Sequence, residues 1–108
     1  LVTLVAQAAE LLSRAGVERP ERMLGPLLGA AMDNSLRFGD QALTGPIARG
    51  DAGTVARHVA TLTEHAPDAV AAYVALGRLT AVRGLAAGII DLDQASALLD
   101  VLAVRPPT

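Results

Sequence analysis

Apolar residues recur three and four positions apart along most of this chain, the period of an amphipathic helix. Leu4, Ala8, Leu11, Leu12 and Ala15 share one face, which predicts a helix over residues 1–15. Gly16 follows it and suits the left-handed position after a helix end. A second helix is expected from Pro20, since proline fits the first helical position. Its stripe is Met23, Leu27, Ala30, Ala31 and Asn34, and Phe38-Gly39 ends it. Pro26 falls inside this stripe, so a kink or a detached first turn is expected there.

Residues 39–50 break the period and read as a connecting loop. Asp51 then caps a third helix, with Thr54 three positions on and Val55, Val59, Leu62 and Ala66 as its stripe. Pro67 opens a fourth helix with almost no intervening loop. That helix carries Val70, Val74, Leu76, Leu79 and Val82, runs to about Ala87, and stops at Gly88. Asp91 with Gln94 has the form of a capping box for a fifth helix, which holds Leu92, Ala95, Leu98, Leu99 and Leu102. Residues 105–108, Arg-Pro-Pro-Thr, read as a frayed end. Alternating β-branched runs are absent, and Ile89-Ile90 is too short for a strand. The expected fold is all-α: about five helices in a compact, Ala/Leu-rich bundle forming one domain over residues 1–108.

Composition narrows this picture. The chain has 108 residues, 52% of them hydrophobic, but only two aromatics, Phe38 and Tyr73. With 22 alanines among them, its apolar residues favour helix and allow close helix–helix approach. A mean hydropathy of +0.41 raises the question of a membrane span. The longest uncharged stretch, residues 23–32, is far short of the roughly 20 residues a span requires. The hydropathy instead points to surface covered by another domain or subunit. All nine basic residues are arginine, so no amine is present to form a Schiff base. The net charge of −2, with no basic run, argues against nucleic acid. The absence of cysteine removes disulfides and thiolate metal sites, and it fits a cytoplasmic setting. The chain begins at Leu1, already in helical pattern, as a C-terminal piece of a longer protein would.

Few residues carry candidate chemistry. His58 and His65 are seven apart, whereas helical metal pairs sit three or four apart, so no metal site is expected. None of the serines lies in a strand–turn–helix elbow. Arg49-Gly50-Asp51 is an integrin-type tripeptide, but Asp51 is committed to capping a helix. The informative segment is LTGPIARGD, Leu43 to Asp51. Arg49 beside a helix N-terminus is suited to an anion, although Asp51 competes for the same amides. Asn34, on an apolar stripe, needs partners if buried. It either faces a cleft or ties down the following loop.

An Asn late in one helix, then LTGPIARGD, then Thr54, Arg57 and His58, resembles the C-terminal helical domain of certain Rossmann-like oxidoreductases. That domain is one of unknown function. Its parents are similar to ketopantoate reductase, pyrroline-carboxylate reductase and the wider phosphogluconate-dehydrogenase-like superfamily. The resemblance spans the chain to about Leu102 and implies a bundle of the phosphogluconate dehydrogenase C-terminal-like type. It implies an N-terminal domain that binds NAD(P), which this fragment lacks along with any GxGxxG. It further implies that the helical domain walls a cleft for a small anionic carbonyl or imine substrate and forms a homodimer. On that basis Arg49, Thr44, Asn34 and His58 are the substrate-binding candidates. No cofactor-binding residue is assigned in this fragment. The catalytic lysine known from ketopantoate reductases has no counterpart here. The alternative expectation is a structural dimerisation domain with no ligand.

Overall fold

The computed structural model describes residues 1–103, so the frayed end expected at residues 105–108 lies outside them. Among the described residues all regular structure is helical and no strand is present, which confirms the all-α class. The chain divides into two compact units, Leu1–Phe38 and Gly39–Thr108.

The first unit is a helical hairpin of α1 (Val2–Arg14) and α2 (Pro20–Phe38). The α1 end is closed as the sequence suggests. Gly16 N–H bonds to the Ser13 carbonyl and Val17 N–H to the Leu12 carbonyl, which satisfies two carbonyls of the last turn. Pro20 begins α2 and is the hairpin's one buried residue. The helix passes Pro26 as a single α-helical element, without the split that was expected. A second expectation is also corrected. The stripe Met23, Leu27, Ala30, Ala31 and Asn34 is exposed, while Leu24 and Leu28 are the half-buried leucines of α2. Apolar residues occupy so much of this helix's circumference that hydropathy alone could not select the side facing α1.

The second unit is built differently. A 3₁₀ turn (Gly39–Ala42) leads into a one-turn helix, α3 (Gly45–Ala48). Then come α4 (Ala52–His65), a 3₁₀ turn (Pro67–Ala69), α5 (Val70–Ala86) and α6 (Leu92–Val101). The segment expected as plain loop is therefore largely ordered into two short helical pieces. Proline at residue 67 starts a 3₁₀ turn that feeds α5, since its fixed φ suits a helix start. Asp91 and Gln94 form the expected capping box, with Gln94 N–H donating to Asp91 Oδ1 at 2.8 Å and Asp91 N–H to Gln94 Oε1 at 2.9 Å.

Val55, Val74, Ala81, Ile90, Ala95, Leu98 and Leu102 form the core of this unit. The buried positions of α5 are Val74, Gly77, Ala81 and Gly84, while Leu76, Leu79 and Val82 face outward. This reverses most of the expected stripe. The small residues mark the buried side because neighbouring elements approach there: a Cβ on Gly77 would stand 3.1 Å from Leu102 Cδ2 and 3.2 Å from Ile47 Cδ1. Residues 67–86 are long and apolar enough to cross a membrane by length and composition. Here α5 packs against α3, α4 and α6 as the central helix of the unit. Arg83 Nε donates to Asp40 Oδ1 at 2.7 Å, joining the first 3₁₀ turn to α5.

Candidate functional site

The segment Leu43–Asp51 becomes legible as three consecutive folding devices. Thr44 is the N-cap of α3, in extended backbone, with no hydrogen bond from its side chain to the helix end. The turn closes at once: Gly50 N–H bonds to the Ile47 carbonyl and Asp51 N–H to the Pro46 carbonyl. Gly50 takes φ +70°, and a Cβ there would lie 2.5 Å from Gln94 Nε2. This position needs glycine on both counts, because a side chain would be strained and would push on the α6 capping box. Ile47 points into the core beside Gly77 and Leu102.

Asp51 then caps α4. Thr54 N–H donates to Asp51 Oδ1 at 3.1 Å, and Thr54 Oγ1–H donates to Asp51 Oδ2 at 2.7 Å. Arg57 Nη2 donates to Thr54 Oγ1 at 2.9 Å, extending the chain of contacts along the helix surface. The Asp51 carboxyl is held below its ordinary value, first by the Thr54 hydroxyl, then by the Thr54 amide, with smaller help from Arg57 and Arg49. Both oxygens of Asp51 are thus engaged in holding the helix start.

Of the expected substrate-binding residues, Thr44, Arg49 and His58 all belong to the second unit, and all three are exposed. Arg49 is the C-cap residue of α3 and acts on Asp51 through its charge. His58 Nδ1 lies 2.9 Å from Tyr73 Oη, and the two rings meet edge to face with centroids 5.9 Å apart. Tyr73 is half-buried, and burial raises the pKa of its hydroxyl above the ordinary value, which keeps it protonated. Asn34 lies on exposed α2 in the first unit, so the structure does not gather all four residues on one body.

Two participants were missed from the sequence. Arg57 sits one helical turn beyond Thr54 and joins Arg49 in acting on Asp51, a spacing of three that was readable. Tyr73 lies 15 positions from His58, and only the fold of α4 against α5 reveals the pair. Elsewhere, His65 Nε2 stands 3.7 Å from the neighbouring Glu64 carboxylate, and both are exposed. Among the described residues no group of three or more His, Cys, Asp or Glu could hold a metal ion.

The site is therefore a cationic edge at the start of α4, with a polar His–Tyr pair one turn further along. It can offer charge-assisted hydrogen bonds to an anion from Arg49 and Arg57. No curated protein and no solved structure matches the chain. A family match does exist over residues 1–80, and by it the chain belongs to the family described as Domain of unknown function (DUF2520).

Proposed function

We propose that this chain is the helical substrate-and-dimerisation domain of an NAD(P)-dependent reductase acting on a small acidic carbonyl or imine compound. The resemblance of the Leu43–Asp51 segment and its flanks to Rossmann-like oxidoreductases motivates the assignment. One structural observation carries it. Asp51 is consumed by the cap of α4, while Arg49 and Arg57 remain exposed on either side of it. Two guanidinium groups around one committed carboxylate leave a local net positive charge for a substrate carboxylate. Thr44 and His58 supply polar groups at the same end of the unit, and Tyr73 holds the imidazole. The nicotinamide cofactor would supply hydride and belongs to a dinucleotide-binding domain, not to these residues. Asn34 is left out of this set, because it sits on the other unit.

In the full-length protein that carries this chain, Arg49→Ala should raise KM for an acidic carbonyl substrate about 10-fold or more, the loss of one charged hydrogen bond. An unchanged KM removes Arg49 from the site. Failure to bind NADPH or NADH at millimolar concentration overturns the reductase reading.

A second reading is a structural dimerisation domain with no ligand. The hairpin favours it, because its large apolar side chains stand largely in water. A chain that dimerises, with a melting temperature indifferent to NADP and to 2-keto acids, would support this reading over the first.

A further inference from the structure

We propose that α2 is the two-fold contact of a homodimer, pairing antiparallel with α2 of a second copy and crossing it between Ala30 and Ala31. The inference rests on the dimerisation part of the reading above and adds the surface that performs it.

The first observation is surface that the hairpin leaves uncovered. Leu1, Val2, Leu4, Met23, Leu27, Met32, Leu36 and Phe38 are each between 44 and 83% exposed. At roughly 200 Å² for a large side chain, this places on the order of 1,000 Å² of apolar residue in water. A monomer's largest apolar patch is typically about 300–600 Å². One partner of a stable complex buries about 800 Å². A 38-residue hairpin with a single buried residue, Pro20, thus exposes enough apolar surface for an interface.

The occupant follows from the order of residues on α2. Met23, Leu27, Ala30, Ala31, Asn34 and Phe38 lie on one helical face. Met23 and Phe38 are equally distant from the Ala30–Ala31 midpoint, and so are Leu27 and Asn34. The bulky residues stand at both ends and the two alanines stand at the centre. A two-fold axis through that midpoint sets Met23 against Phe38 of the partner subunit, a favourable sulfur–aromatic pairing. It sets the alanines against each other, where helix axes can approach to about 8 Å. Asn34 provides a polar position that fixes register, as single polar residues do in helix pairs. Charge does not oppose the pairing. Between Met23 and Phe38 the charged residues are Asp33 and Arg37, which pair with each other at 3.1 Å. A face without net charge can meet its own copy without repulsion. A self-complementary surface is what an isologous interface requires.

The chain contains no cysteine, so one introduced cysteine can form only intermolecular disulfides. The experiment compares Ala30→Cys and Ala31→Cys with Ser96→Cys, which places the thiol on an exposed position of α6 in the second unit. Wild-type protein is examined by analytical ultracentrifugation, alongside Leu27→Asp. The expected result is a wild-type dimer, rapid disulfide-linked dimer from at least one alanine variant, and little from Ser96→Cys. Leu27→Asp should weaken the dimer at least about 100-fold. A wild-type dimer that neither alanine variant cross-links, and that Leu27→Asp leaves intact, overturns the α2 surface while keeping dimerisation. A wild-type monomer at about 100 μM overturns both.

Discussion

The two units of this chain contain similar helices and yet solve burial in opposite ways. The hairpin, Leu1–Phe38, has long amphipathic helices but no buried apolar side chain apart from the ring of Pro20. The second unit places Val55, Leu98 and Leu102 almost wholly out of water and surrounds them with small residues. The difference lies in the number of elements. Two helices can cover only one strip of each other, whereas α4, α5 and α6, with α3 laid on α5, enclose a volume. Hydropathy therefore means different things in the two units. In the second it marks a core, and in the first it marks a surface awaiting a partner.

The comparison is most easily broken by making the same substitution in both. Leu98→Ala removes a side chain with no exposure and should cost about 2–5 kcal/mol, by transfer and cavity together. Leu27, 61% exposed, should change folding stability by no more than ~0.5 kcal/mol on Leu27→Ala, measured by urea unfolding under dissociating dilution. Comparable losses at the two sites would mean that the hairpin shares a core and that the contrast is false.

Glycines sharpen the contrast by reversing its sign. Gly29 lies inside α2, and a Cβ there meets nothing within 4 Å. Gly29→Ala should therefore gain about 0.5–1 kcal/mol from helix preference alone. Gly77→Ala would receive the same gain, but its Cβ would press on Leu102 at 3.1 Å and on Ile47 at 3.2 Å. Leu102 is fully buried and has little room to retreat. Overpacking of about 1–3 kcal/mol exceeds the helix gain, so the net effect should be a loss on the order of 1 kcal/mol. Thermal melts of the two variants should move in opposite directions. A stabilised Gly77→Ala would show that the α3–α5–α6 contact is looser than these distances indicate.

These positions also show what the sequence could and could not carry. Helix number, most helix ends and both Asp caps were legible, because they depend on neighbours three or four residues away. The buried sides of α2 and α5 were not. On α5, the larger apolar residues Leu76, Leu79 and Val82 drew the expected stripe to the exposed side, while Gly77, Ala81 and Gly84 were buried. Which side is covered depends on the size a neighbour demands, and that neighbour is distant in sequence. The candidate site shows the same division. Asp51 and Thr54 were readable as a cap, whereas the anchoring of Ile47 against Gly77 and the pairing of His58 with Tyr73 required the fold. Much of LTGPIARGD proves to be folding apparatus, leaving Thr44 and Arg49 as its functional remainder.

The smallest effect concerns the cap of α4, which lies in the unit with the core and so should register in global unfolding. Asp51 has a folded-state pKa below its ordinary value, because the Thr54 hydroxyl and amide, then Arg57 and Arg49, favour the carboxylate. A depressed carboxylate stabilises the folded state fully above the ordinary carboxylate range, since the charged form makes the better contacts. As pH falls, the unfolded chain takes up this proton before the folded chain does. The stability from Asp51 is therefore lost from the ordinary carboxylate range downward, through the lowered folded value. Asp51→Asn keeps a side-chain acceptor at the N-cap but removes the charge. Unfolding curves should show wild-type protein more stable than Asp51→Asn at neutral pH, with the gap closing in acid. A gap that stays constant with pH would mean that the charge of Asp51, and with it Arg49 and Arg57, does not act on this helix start.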